Sequence, residues 1–140
     1  AIATARATFC VSEVKFGLIP AVISPYVLAA IGARAARRYF QTAEIISAVE
    51  AHRLGLVHEV VADEQELAVA ADRVTTQLLK NGPTAMSAAK KLIVTVSGRL
   101  VDDELVEETA GLMADRRAST ECREGLSAFL EKRSPSWMKG

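Results

Sequence analysis

The sequence predicts an α/β protein that is mostly helical, and three observations predict it. The run Leu56-Val57-His58-Glu59-Val60-Val61 is short, β-rich and preceded by a helix stop. Residues 1–9 are rich in Ala, Thr and Ile and too few for a stable helix, so they read as an edge of sheet running into a loop. Beyond Asp63 the apolar positions recur at helical spacing almost to the end. With 140 residues, half of them apolar, the chain has the size of one domain and enough apolar surface for a core.

Each element has a local reason. Ser24-Pro25 reads as an N-cap followed by proline at the first helical position, with Tyr26, Val27, Ala30 and Ile31 at helical spacing until Gly32. A second short helix is expected over 33–41. Ser47 and Glu50 have capping-box spacing, and Gly55 stands where a left-handed C-cap belongs. Over 63–79, Leu67, Ala70, Ala71, Val74 and Leu78 share one face, and Asn81-Gly82-Pro83 halts that helix and starts another. Three more helices follow over 84–96, 102–116 and 120–132, then an irregular tail. One or two strands this short are marginal alone and want partners from elsewhere.

Composition excludes several classes of function. The 17 basic and 17 acidic residues cancel and are interspersed, which leaves no electrostatic footprint for nucleic acid. Apolar runs are broken by Pro25 and closed by Gly32, far short of the roughly 20 residues of a membrane span. No secretory signal opens the chain, so a cytoplasmic protein is expected. Cys10 and Cys122 lack metal or paired spacing and read as reduced, buried thiols. His52 and His58 have no third ligand or nucleophile near them and look structural, and Ser12, Ser24 and Ser47 lie outside any nucleophile-elbow context. Arg34, Arg37 and Arg38 form a basic cluster that reads as a solvated face or an interface.

Five stretches, in order and in register over the whole chain, carry a resemblance. They are Phe9-Cys10-Val11-Ser12-Glu13-Val14-Lys15-Phe16-Gly17-Leu18-Ile19-Pro20; Ala48-Val49-Glu50-Ala51-His52-Arg53-Leu54-Gly55-Leu56-Val57-His58; Asn81-Gly82-Pro83-Thr84-Ala85 with Lys90 and Lys91; residues 119–125; and residues 128–133 ahead of Trp137. None is specific alone. Together they resemble the C-terminal half of the crotonase (enoyl-CoA hydratase/isomerase) family. The resemblance implies the end of that fold's ββα spiral core with its catalytic loop over 1–62, and over 63–140 a helical region used for trimerisation and for covering CoA. It also implies that two backbone N–H donors for the thioester oxygen, and the second catalytic glutamate of hydratases, belong to a half preceding residue 1.

The activity implied is addition of water to a 2-enoyl-CoA, with no metal or redox cofactor, coenzyme A being carried by the substrate. Charge develops on the thioester oxygen and must be met by fixed donors, while carboxyl groups handle the protons on water and on the α carbon. Glu13, in its Ser-Glu-Val context, matches the later of the family's two glutamates and is the candidate catalytic residue. Its place ahead of the apolar run 16–23 suggests apolar walls that favour a proton-carrying carboxyl near neutral pH. Without the register, a loop glutamate would be read as solvated.

Where many family members have a glycine-rich turn, this chain has Pro20-Ala21-Val22-Ile23-Ser24-Pro25-Tyr26. The bulkier residues thicken the wall beside the acyl group, and Ser24 and Tyr26 offer hydroxyls to a polar substituent. That variant looks like the methylglutaconyl-CoA or isohexenylglutaconyl-CoA hydratase branch and makes Pro20, Ala21, Ser24 and Tyr26 candidate substrate-binding residues; otherwise Ser24 caps its helix and Tyr26 packs in the core. Phe129 and Lys132, three apart on a helical face, match positions that contact the adenine and phosphates of CoA. The partners implied are an acyl-CoA and further copies of the chain, as a trimer or dimer of trimers. The alternatives are an enoyl-CoA isomerase and a non-catalytic assembly module of the same fold.

Overall fold

Short strands form within the first 61 residues and helices dominate thereafter, in a computed structural model that describes residues 1–138. The chain divides between Arg73 and Val74 into two compact units. In the first, β1 (Ile2–Thr4) pairs in parallel with β4 (Glu59–Val61), and β2 (Thr8–Phe9) pairs antiparallel with β3 (Ile46–Ser47). A parallel pair needs a long crossover. Here it contains a 3-10 helix, Glu13–Phe16, then α1 (Ser24–Thr42) and α2 (Ala48–Arg53).

Only the last three residues of the β-rich run are strand. Leu56 and Val57 both turn their N–H groups back to the Ala51 carbonyl, at 2.8 and 3.3 Å, which closes the end of α2 instead. The two helices expected on either side of Gly32 are joined into α1 across a kink at that residue, whose φ of 73° and ψ of 161° lie in a region essentially reserved for glycine. Ser24 is not the N-cap. It is the first helical residue, its N–H bonded to Pro20 O at 2.9 Å and its hydroxyl donating back to Ala21 O at 2.9 Å, so the preceding turn runs straight into the helix.

Of the capping-box pair at α2 only the serine half forms, because the Glu50 carboxylate is taken by Arg53 and Tyr39. Ser47 Oγ accepts from Glu50 N at 3.2 Å. Gly55 takes φ 84°, and a Cβ there would lie 3.1 Å from the Ala30 carbonyl oxygen, so both backbone and space call for glycine. Around α2 gathers the core of this unit: Ile46, only 2% exposed, with Ala48, Ala51, Ala36, Tyr39 and Val57. Helix α3 (Glu64–Leu79) is opened by Asp63, whose Oδ1 accepts from Gln65 N and Glu66 N at 2.9 Å.

The second unit holds α4 (Pro83–Val96), α5 (Asp103–Ala118), α6 (Thr120–Leu130) and a closing 3-10 turn, Ser136–Met138. Asp102 and Ser119 cap α5 and α6 by accepting from Leu105 N and Cys122 N. Trp137 packs on α6 where Gly125 leaves room: a Cβ at Gly125 would come within 3.0 Å of the indole. The indole N–H donates to Lys80 O at 3.2 Å, so the ring fastens the tail to the α3–α4 turn. Both cysteines are free but neither is buried: Cys122 is partly exposed and Cys10 exposed, its thiol directed at the Ala43 carbonyl at 3.3 Å. Among the described residues no helix is long and apolar enough to cross a membrane.

Candidate active site

Glu13 opens the 3-10 helix rather than ending an extended segment. Buried Val11 anchors the approach, and the helix closes at Gly17, which takes φ 72° and donates to Val14 O at 3.2 Å; Leu18 N then bonds Glu13 O at 3.1 Å. Glu13 itself is half-buried. It is also the one acidic residue among the first 43 of the sequence, a signal that composition over the whole chain hides.

The apolar residues expected as walls follow it, but they face solvent. Phe16 is 76% exposed and Val22 85%, with Leu18 and Ile19 similarly open. The result is a carboxylate beside an apolar shelf, not one enclosed by this chain.

α1 contacts the 3-10 helix, and Glu13, Pro20, Ala21, Ser24 and Tyr26 all belong to the first unit, within 14 residues of sequence. Pro20 is buried and Ala21 exposed. The Ser24 hydroxyl spends its proton on Ala21 O and keeps acceptor capacity. Tyr26 does not pack in the core: it is 78% exposed, and its phenol has no hydrogen bond among the described residues.

Phe129 and Lys132 belong to the second unit. Phe129 is 77% exposed on the last turn of α6. Lys132 lies past the helix end, two residues beyond Leu130, so the two do not share a helical face. Lys132 N donates to Phe129 O at 3.2 Å and Arg133 N to Ala128 O at 3.0 Å, the bond pair of a Schellman ending, with Lys132 at φ 54° where glycine is usual.

Two polar constellations escaped the sequence reading. Glu50, placed by its cap signal, receives Arg53 Nε and Nη2 at 2.6 Å each and the Tyr39 hydroxyl at 3.1 Å. The Arg53 guanidinium outweighs partial burial and holds the Glu50 carboxyl down to about 2. Tyr39 is pushed up, by burial first and then by that carboxylate. The spacing of Glu50 and Arg53 along α2 was a readable signal; the approach of Tyr39 from α1 was not. In the second unit Glu121 accepts from the backbone N–H groups of Thr84 and Ala85 and lies 3.6 Å from Arg116. Burial opposes its ionisation, but those hydrogen bonds and Arg116 leave its carboxyl below the usual range.

Among the described residues no group of three or more His, Cys, Asp or Glu could hold a metal ion. Around the 3-10 helix the first unit presents the Glu13 carboxyl group followed by exposed apolar side chains.

Comparison with known proteins gives one consistent answer. A family model described as enoyl-CoA hydratase/isomerase matches residues 1–140. A crystal structure of an enoyl-CoA hydratase from Shewanella pealeana superposes with a TM-score of 0.92 at 47% identity, covering 98% of this chain and 51% of that one. The 1,2-epoxyphenylacetyl-CoA isomerase of Escherichia coli is 32% identical over 138 residues, 97% of this chain and 52% of its own. The 2,3-dehydroadipyl-CoA hydratase of the same organism is 30% identical over 143 residues, 97% of this chain and 53% of its own. The chain spans about half the length of the curated relatives it matches.

Proposed function

This chain belongs to the enoyl-CoA hydratase/isomerase family and has the α/β, mostly helical architecture of the crotonase fold, and from that premise we propose that it serves the addition of water to a 2-enoyl-CoA. Glu13 is the proton-transferring carboxyl. As the oxygen of water bonds to the β carbon, the proton it loses passes to a second carboxylate and the π electrons move onto the thioester oxygen; as those electrons return to the α carbon, Glu13 delivers a proton there, or removes it in the reverse direction. Conjugate addition of this kind needs proton transfer and oxyanion stabilisation, and the reading assigns no metal or redox cofactor. The observation that carries it is Glu13 as the one carboxylate in 43 residues, half-buried and followed by an open apolar shelf.

The acyl group is proposed to be branched and carboxylated, of the methylglutaconyl-CoA kind. Tyr26 has a phenol ready to donate, and Ser24 Oγ retains acceptor capacity, both at the start of the helix that packs on the Glu13 turn. One relative is named for a 2,3-dehydroadipyl-CoA, whose acyl group also ends in a carboxylate. Pro20 and Ala21 complete that wall, and Phe129 and Lys132 are proposed contacts of the CoA moiety. Assembly as a trimer or a dimer of trimers would cover exposed Val94, Leu100, Val101 and Met113 of the second unit.

Enoyl-CoA isomerisation is the second reading, favoured by the relative named as a CoA-thioester isomerase. The test joins this chain to the part of the Shewanella hydratase that it does not cover and analyses products from a 2-enoyl-CoA and a 3-enoyl-CoA. Formation of the 3-hydroxyacyl thioester from the former supports hydration. Double-bond migration without hydration would replace it with the isomerase reading.

A further inference from the structure

We propose that the first unit carries a second ligand site, remote in its residues from Glu13, that takes a small polyanion bearing phosphate or carboxylate groups. It is a cleft of about 340 Å³ between α1 and α2, and three of its lining residues are Arg34, Arg38 and Arg53. Arg34 and Arg38 are four apart on α1 and so share a face; Arg53 comes from the end of α2. Guanidinium groups converging from two elements suit oxyanions, which they bind through paired N–H donors.

The arginines are oriented without being exhausted. Glu50 holds Arg53 through Nε and Nη2 and is itself held by the Tyr39 hydroxyl, leaving Arg53 Nη1 without a partner among the described residues. Arg38 lies 5.5 Å over the Tyr39 ring and gives Nε and Nη2 to Glu44, again leaving Nη1. Arg34 forms no ion pair among the described residues. Three guanidinium charges face two carboxylates, so one positive charge is unmatched, and it belongs to the arginine with the most freedom to reach a ligand. Ile31 and Leu54 give the cleft an apolar side that excludes water from part of the contact. The cleft involves neither Glu13 nor hydration, so the two sites can be tested separately.

The experiment titrates the 140-residue chain with inorganic pyrophosphate and, in parallel, citrate, following backbone amide signals at constant ionic strength. Saturable shifts clustered on residues 31–54 are expected, with affinity lowered about tenfold by Arg34→Gln and unchanged by Arg123→Gln, an exposed arginine of the second unit. Whichever anion binds tighter identifies phosphate or carboxylate as the group recognised. Shifts that sodium chloride reproduces, that fail to saturate, that centre on the second unit, or that survive Arg34→Gln undiminished would overturn the proposal.

Discussion

Glu121 caps a helix to which it does not belong: from α6 its carboxylate accepts the Thr84 N–H at 2.9 Å and the Ala85 N–H at 2.7 Å, at the start of α4. The first N–H groups of any helix lack intrahelical partners, and Gly82 at the N-cap of α4 has no side chain to serve them. A carboxylate at that end also meets the positive pole of the helix. Two of the stretches that carried the family resemblance, 81–85 and 119–125, therefore meet in one structural joint.

The joint makes a non-additive prediction. A Cβ on Gly82 would fall 2.7 Å from Glu121 Oε1, although its φ of −62° suits any residue. Gly82→Ala should thus displace the carboxylate and lower the thermal midpoint by a few degrees, as Glu121→Ala should. Combined, they should cost little more than the larger of the two. Thermal unfolding of the four proteins checks this; simple additivity would separate Gly82 from the cap.

Acid should loosen the first unit through Glu50. Its carboxyl is held at about 2 in the fold against an ordinary 4.5, so the folded state binds fewer protons than the unfolded state between those values. That contribution is whole above about pH 4.5 and is lost as pH falls toward 2. Glu50→Gln should be less stable at pH 7 and show a shallower loss over that window. Unfolding midpoints taken from pH 7 to 2 test the slope; parallel profiles would contradict it.

Lys132 holds a left-handed backbone at φ 54°. An L side chain there costs about 1 kcal/mol relative to glycine. Lys132→Gly should therefore stabilise the chain by roughly that amount in denaturant unfolding, while weakening CoA binding if the ammonium contacts phosphate as proposed. Gain of stability with unchanged CoA affinity would leave Lys132 a purely structural residue.

What the sequence disclosed was what its neighbours decide. The Ser47 cap, Gly55, and the turn at Asn81-Gly82-Pro83 all act within a few residues, and each forms as read. Ser24 misled because its hydroxyl had two local options and took the carbonyl behind it. The end of α6 misled because its left-handed residue is a lysine, which carries none of glycine's punctuation. The cap from Glu121, 37 residues past Thr84, and the convergence of Arg34, Arg38 and Arg53 depend on packing that no local pattern encodes. Of the candidate site, Glu13 and the residues around it were chosen through their register with a family, and their roles are proposals. The openness of the shelf beside Glu13 was not, because exposure is a property of the assembled surface.

The most direct measurement is turnover of a branched, carboxylated 2-enoyl-CoA by the chimera of this chain with the part of the Shewanella hydratase that it does not cover, with and without Glu13→Gln. A carboxyl that carries the α-carbon proton predicts a fall in kcat of about a hundredfold or more with little change in KM. Equal turnover by the two proteins, or hydration by the 140-residue chain alone at the chimera's rate, would contradict it.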